Sequence, residues 1–384
     1  MKDVVVVGAS LAGASTAIQL ARMGLSVSLI DRAHFPRRKA CGEGLFPRGV
    51  EALSSLGVYQ QVRGGARTLD SLRVELDGAA VEAPLASPAY PAIGVRRELL
   101  DAALLKCAEL DSVEVCQGVT VLDVLTSPSG YRGVRTDHGD FEARVIVAAD
   151  GLRSRLRRIA GLDAPVRSQR YGVSAHYSLH EEVAARVRIR MLDGYEAYLT
   201  PVAERMVNVA LLMGRDRSAV LAGRLEESFD ALVRASGILA EGATLLDAPL
   251  TGGPFPAGAR RAWRDNLLLA GDAAGFLDGI SGEGMSIALV ASQFAADAVR
   301  GFIDTANDAH LRGYERRRRS LVRNSNLMSR ISLFVAGHRR IGRRAIGNLS
   351  KRPATFEKFL SINSGVSGLR TLTPRDAACL LFGV

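Results

Sequence analysis

Apolar positions along this chain recur with two different periods, and the switch between them marks its parts. Val4 to Val7 is a β-branched run too short for a helix; Gly8-Ala9-Ser10-Leu11-Ala12-Gly13 follows, then apolar residues at helical spacing through Leu20 and Met23. Ser26 to Ile30 reads as the next strand and ends on Asp31. Leucines recur at helical spacing from Arg97 through Leu104, and the Arg144–Ala148 and Asn266–Ala270 runs read as buried strands. A long helix is predicted from Ile287 to Phe302. Elsewhere the period falls to two: Arg186-Val187-Arg188-Ile189-Arg190-Met191 and Met206-Val207-Asn208-Val209-Ala210 alternate as strands covered on one face. The predicted organisation is an α/β unit in three pieces (1–75, 95–165 and 250–302), strand-rich segments at 76–94 and 166–249, and a helical region over 303–384.

Composition adds exclusions. With 47% hydrophobic and 23% charged residues, the 384-residue chain is neither disordered nor of low complexity. The apolar run after Met1-Lys2-Asp3 is too short for a signal peptide, and no uninterrupted apolar stretch is long enough to cross a bilayer, so a cytoplasmic location is expected. Four cysteines without a CxxC pair point away from disulfides and zinc, and no metal is expected. His176 and His180, in a strand-like segment, read as ordinary surface residues.

Charge is unevenly placed. From Leu311 to Arg352 there are thirteen Lys or Arg and one acid, Glu315, so this segment carries 13 − 1 = +12 against +10 for the whole chain. That block reads as a solvated helical face. Its apolar interleaving at Ile331-Ser332-Leu333-Phe334-Val335 also suits docking to an anionic membrane surface or an acidic carrier protein, which would place the protein peripherally on a membrane. Nucleic acid is not expected, because only Tyr314 and Phe334 are available for stacking in the segment.

The first strand, turn, helix and strand suit a nucleotide. Gly8 makes the tight turn, Gly13 lets helix and strand pack closely, and the helix N-terminus faces a pyrophosphate. Asp31, followed by Arg32, lies 23 residues after Gly8, where an acid accepts hydrogen bonds from a ribose hydroxyl. Ser10 replaces the usual middle glycine. An acid at this position favours FAD or NAD over NADP. Two more strands deliver turns of the same kind, Asp150-Gly151 and Gly271-Asp272, and Gly282-Glu283-Gly284-Met285 opens the long helix.

These motifs, in this order, resemble the FAD-dependent superfamily of p-hydroxybenzoate-hydroxylase-type monooxygenases and geranylgeranyl reductases. The resemblance implies a Rossmann-like FAD-binding domain, an antiparallel β-sheet substrate domain and a helical C-terminal region. It assigns Gly8, Ser10, Gly13, Asp31 and Arg32 to the ADP half of FAD, Arg97 to its phosphates, Asp150 and Gly151 to the pyrophosphate region, and Gly271 and Asp272 to the ribityl chain. Gly282, Gly284 and Met285 would face the flavin pyrimidine ring. The segment Pro36-Arg37-Arg38-Lys39-Ala40-Cys41-Gly42-Glu43-Gly44 is similar to the reductases' Pro-x-x-Lys-x-Cys-Gly-x-Gly loop beside the isoalloxazine. Cys41, Gly42, Gly44 and Glu283 are therefore the catalytic candidates, with Lys39 offsetting charge at the flavin and Cys41 either a proton donor or a packing residue. Tyr195 and Tyr198 are the substrate-side candidates.

Departures are also present. Asp278-Gly279-Ile280 lacks the proline that precedes the Gly-Glu-Gly turn in prenyl reductases, their tryptophan-bearing motif is missing, and the single Trp263 excludes the halogenase Trp-x-Trp pattern. With one dinucleotide fingerprint only, electrons are expected from a transient NAD(P)H or an external reductase. The expected function is FAD-dependent oxidation and reduction. Hydroxylation of a lipophilic, aromatic or carrier-bound small molecule stands first, and saturation of a prenyl or polyene double bond is the alternative. A redox-sensing flavin module docking through its basic tail is a third reading.

Overall fold

The computed structural model describes residues 1–382 other than 86, 88, 129, 167, 168 and 222. Lys2–Val7 is the hub of the first sheet, pairing in parallel with Val27–Asp31 on one side and Gly139–Ala148 on the other. Glu114–Gln117 extends the sheet beyond Val27–Asp31, and Leu267–Leu269 extends it beyond Gly139–Ala148, both in parallel. The crossovers that make parallel pairing possible are helical, among them Leu11–Arg22 and Arg97–Leu110. Because neighbours on the two sides of Lys2–Val7 lead away in opposite directions, a crevice opens at its carboxyl end, where open α/β sheets hold ligands.

The second sheet runs Thr244–Leu245, Arg170–Ser178, Met206–Gly214, Tyr195–Ala203, Arg186–Leu192, Ser71–Leu76 and Ala79–Pro84, with Leu250–Phe255 also pairing Arg170–Ser178. It is antiparallel except where Ser71–Leu76 meets Arg186–Leu192 in parallel. Two expected boundaries therefore shift. The division at 75/76 falls inside a strand of this sheet, and the segment from 250 opens with another of its strands. Both pairings join residues far apart in sequence, which local periodicity does not register.

Alternation along Tyr195–Ala203 decides what each face does. Tyr195, Ala197 and Leu199 pack with Phe229 and Val233 of the helix Leu225–Ala235 on one face. Tyr198 and Thr200 turn to the other face, toward the first domain. Helices Ala309–Gly337, Arg339–Ser350, Pro353–Asn363 and Pro374–Phe382 form the C-terminal region, and Ile346, Leu349 and Phe356 pack with Val81 and Ala83 of the second sheet. Gly284–Thr305 is long and apolar enough to cross a membrane by length and composition. Here its Ala288, Leu289, Ala295 and Ala296 are buried in the main core, against the first helix and its sheet.

Two glycines set the crevice. Gly8 has φ +101°, and a Cβ there would lie 2.4 Å from the Ala149 carbonyl oxygen; a Cβ at Gly13 would lie 1.8 Å from that of Gly8. Backbone cannot give way as a side-chain end can, so Gly13→Ala is expected to destabilise by at least about 3 kcal/mol. Gly347, on the helix Arg339–Ser350 with nothing within 4 Å of its would-be Cβ, is the control. Gly347→Ala should stabilise by roughly 0.5–1 kcal/mol. Urea midpoints of the two variants check the opposite signs.

Candidate active site

The crevice opens into a cavity of about 320 Å³ between the two sheets. On the first-domain side it is lined by Ser10, Lys39, Cys41, Gly42, Glu43 and Gly44, with Arg97, Gly151, Gly271, Asp272, Gly282, Gly284 and Met285. Most of the site residues expected from the sequence thus converge on one space. Gly8, Asp31, Arg32 and Asp150 at the strand ends, and Gly13 in the first turn of the helix Leu11–Arg22, lie outside this lining.

The nucleotide end is built from backbone. Ala9 N–H donates to Asp31 Oδ2 at 2.7 Å and Ala33 N–H to Oδ1 at 2.8 Å, so the carboxylate fixes the glycine turn from the next strand. Arg32 is exposed. Ser10 has φ −85° and ψ −170°, extended backbone open to any residue, which explains why the middle glycine is dispensable. Its Oγ accepts from Arg97 at 2.5 Å and donates to Asp101 Oδ2 at 3.3 Å. Arg97 is buried and bonds both oxygens of Asp101 at 3.0 Å. Burial alone would lower its pKa, but Asp101 and then Cys41 outweigh that and hold it above the ordinary arginine range. The charge of Arg97 is therefore neutralised within the protein. Lys39 has no hydrogen bond or ion pair among the described residues; burial, then the charge of Arg97, pushes its ammonium pKa down.

These features fit FAD. Asp150 Oδ2 accepts from Arg155 and Leu156 N–H at 2.7 and 3.2 Å, which caps the helix Arg155–Ile159, while its buried Oδ1 has no partner. Gly271 has φ +57°, and a Cβ there would come within 2.7 Å of Ala12. Above Gly42 and Gly151 a Cβ would meet nothing within 4 Å, which leaves room for a flat ligand against their backbone; Gly151 is also called for by its φ of +81°.

The loop carrying Cys41 is held by a buried network. Glu43, 3% exposed, adopts φ +57°. Its Oε1 accepts the Arg97 N–H at 2.8 Å, and its Oε2 meets His176 Nε2 at 2.7 Å. On the far side His176 Nδ1 meets Asp247 Oδ2 at 2.7 Å, while Asp247 Oδ1 accepts from the His176 N–H at 3.0 Å and from Arg38 at 2.7 Å. Burial would lower the His176 pKa; hydrogen bonding and charge from Glu43 and Asp247 outweigh it, and the pKa is raised. Cys41 N–H donates to Ser174 Oγ at 3.1 Å, and Glu43 N–H to Cys41 Sγ at 3.4 Å. His176 is thus not a surface residue: it is 7% exposed and faces the cavity side of its strand together with Ser174, two positions away. Its partners lie 133 and 71 residues distant, and local sequence gives no sign of them.

Two other expectations are corrected. Tyr195 and Tyr198 are three apart on one strand, so they occupy opposite faces. Tyr198 lines the cavity and donates to the Ile280 carbonyl at 3.2 Å, whereas Tyr195 is packed behind the sheet and donates to Leu232 at 3.2 Å. Glu283 does not face the cavity either. Gly282 and Gly284 present backbone to it, and the side chain between them turns to the opposite side of the wall. Where prenyl reductases carry proline, Asp278 accepts the Ile280 N–H at 3.0 Å and caps the short turn. Asp278 is itself tied to Arg170 at 3.3 Å, and Arg170 to Glu196, in a buried cluster under Tyr198.

Comparison with known proteins agrees with this geometry. Residues 1–187 match the model of an FAD binding domain. The menaquinone reductase of Mycolicibacterium smegmatis is 33% identical over 314 residues, covering 77% of this chain and 75% of that protein. Digeranylgeranylglycerophospholipid reductase 1 of Methanopyrus kandleri is 28% identical over 339 residues, 82% of this chain and 85% of that one. In fold, a flavoprotein/dehydrogenase from Cytophaga hutchinsonii superposes with a TM-score of 0.83 at 20% identity, over 99% of this chain and 97% of the other. On the FAD-binding match and these relatives, the chain belongs to the superfamily of class A flavoprotein monooxygenases and geranylgeranyl reductases and is an FAD-dependent oxidoreductase.

Proposed function

We propose that this oxidoreductase saturates a carbon–carbon double bond in the isoprenoid chain of a lipophilic substrate such as a prenylated quinone. The observation that carries this reading is an apolar wall of the cavity. Leu69, Leu72, Leu85, Val187, Ile189 and Leu212 of the second sheet and its flanks line it together with the Cys41 loop. Such a wall selects by burial, at about 25 cal/mol per Å² of apolar area, and offers a prenyl chain what it needs while giving a polar aromatic little to bond. The two curated relatives named above are reductases whose names specify prenylated substrates, which supports the same choice over hydroxylation.

Bound FAD, once reduced by a nicotinamide or an outside reductase, supplies the hydride. The protein's task is to place the double bond, keep water out and deliver one proton, so that one carbon gains the hydride and its neighbour the proton. Cys41 lines the cavity and is the proposed donor. Loss of its proton leaves a thiolate, and the Glu43 N–H, 3.4 Å from Cys41 Sγ, is placed to hold that charge. Glu43, His176 and Asp247 fix the donor's loop on the substrate sheet. The exposed arginines of 311–352, with Phe334 at 51% and Ile341 at 46% exposure, support docking on an anionic bilayer, where such a substrate resides.

Anaerobic incubation of the reduced holoenzyme with a prenylated quinone should give a product heavier by two hydrogens, with Cys41→Ala slower by about 10²-fold and flavin binding intact. An oxygen atom incorporated in air, with no anaerobic product, would sink the reductase reading in favour of a hydroxylase. Turnover of Cys41→Ala at the wild-type rate would remove the thiol from the mechanism.

The His176 network gives a pH signature in stability. Its folded pKa lies above the ordinary 6.5, so its contribution is whole below the unfolded value and is lost as pH rises through the folded one. His176→Gln should cost about 2 kcal/mol between roughly pH 5 and 6.5, and less as pH rises beyond that window. Urea midpoints of wild type and variant across this range measure it; a gap that widened with pH would contradict a protonated imidazole between the two carboxylates.

A further inference from the structure

Behind the Gly282–Gly284 turn lies a second cavity, also of about 320 Å³. It sits at the seam of the helices Pro47–Ser55, Gly284–Thr305, Ala309–Gly337 and Pro353–Asn363, and shares no lining residue with the first. Asn324 Oδ1 and Asn363 Oδ1 of its lining are buried without a partner, and Glu283 Oε1 and Ser286 Oγ have none but each other. Glu283 is 3% and Ser286 2% exposed. An atom of this kind costs about 1–3 kcal/mol if nothing bonds it, so their gathering around one space marks a site shaped for a polar ligand.

Charge narrows the class. Arg317 is paired with Asp297 at 2.8 Å and stacks on Phe294 at 4.0 Å. Arg48 has no hydrogen bond or ion pair among the described residues, and the carboxyl that shares the cavity lining with it is Glu283. Burial raises the Glu283 pKa to about 8, against the opposing charge of Arg48 and the hydroxyl of Ser286. Below that pH the carboxyl is neutral and can donate. The Asn363 amide donates to the Ser281 carbonyl at 2.9 Å, which leaves its oxygen as an acceptor. The ligand must therefore accept from Arg48, Ser286 and Glu283 and also offer an O–H to asparagine oxygens. A carboxylate does only the first; a protonated phosphate does both.

We propose that this cavity binds a phosphate group, free or as a phosphomonoester headgroup, with Arg48 as its ion-pair partner. The charged groups facing it are Arg48 from the first helix, Glu283 at the start of the second, and Arg317 with its partner Asp297; the fourth helix contributes only neutral Asn363. The wall shared with the first cavity is the Gly282–Gly284 turn itself, so occupancy is placed to be felt at the flavin. The site does not depend on which substrate the first cavity takes.

Calorimetric titration of the holoenzyme with inorganic phosphate, and separately with short-chain phosphatidic acid, tests it. Saturable one-to-one binding is expected, weakened about tenfold or more by Arg48→Gln with the flavin spectrum unchanged. Arg316→Gln, on the exposed basic face outside the cavity, should bind as wild type. Affinity should fall as pH rises through about 8, and Glu283→Gln should abolish that fall. Tighter binding of the lipid assigns a headgroup source, and binding of inorganic phosphate alone a free one. No saturable binding of either probe, or equal loss in Arg48→Gln and Arg316→Gln, overturns the site while leaving flavin binding and turnover to judge the first cavity separately.

Discussion

Everything in the active site depends on one buried carboxylate in a backbone conformation it does not prefer. Glu43 sits at φ +57°, a region that costs a non-glycine residue about 1 kcal/mol or more. What holds it there is long-range: one oxygen takes the first N–H of the helix Arg97–Leu110, the other meets His176 on the substrate sheet, and its carbonyl accepts the Val95 N–H at 2.9 Å. The nucleotide domain, the flavin-side loop and the substrate sheet are thereby joined through a single side chain. Cys41 and Gly42, immediately before it, inherit their positions from that junction. A neutral residue at 43 would leave a buried imidazolium with half its compensation, and the strained turn with less to keep it.

The parts legible in the sequence are those where a residue type answers a local backbone demand. Gly13 is required by the Gly8 carbonyl in the same turn, and Asp31 at the end of the next strand accepts the Ala9 N–H, so one βαβ unit contains that signal; Gly8 answers its own positive φ as well as the Ala149 carbonyl that a distant strand brings beside it. The Cys41 loop was legible through its motif. Partners brought together across 71 and 133 residues were not: His176 reads as one polar position in an alternating strand until Asp247 and Glu43 are placed beside it. Tyr195 shows a different limit. Periodicity places it and Tyr198 on opposite faces, but which face meets the cavity is decided by what packs behind the sheet, and here Phe229 and Val233 fill that side.

The basic region illustrates why a charge count alone misleads. Several of its arginines are already engaged: Arg318, buried, donates to the Gly275 carbonyl at 2.6 Å, while at the surface Arg317 pairs with Asp297, Arg319 with Glu315, and Arg339 with Asp77. Arg318 in particular is 8% exposed and braces the loop that follows Gly271-Asp272, so part of the segment supports the FAD domain. Arg323, Arg330, Arg340, Arg343 and Arg344 are exposed without an acid partner among the described residues. Those five lie on the helices that run from the second cavity to the apolar strand Ala79–Pro84, where Ile346 and Leu349 cover the sheet. On the proposed reading the division is economical. The buried Arg318 braces the wall behind the flavin, and the exposed arginines hold the same helices against an anionic surface, so that docking and the geometry of the turn between the two cavities are carried by one set of helices.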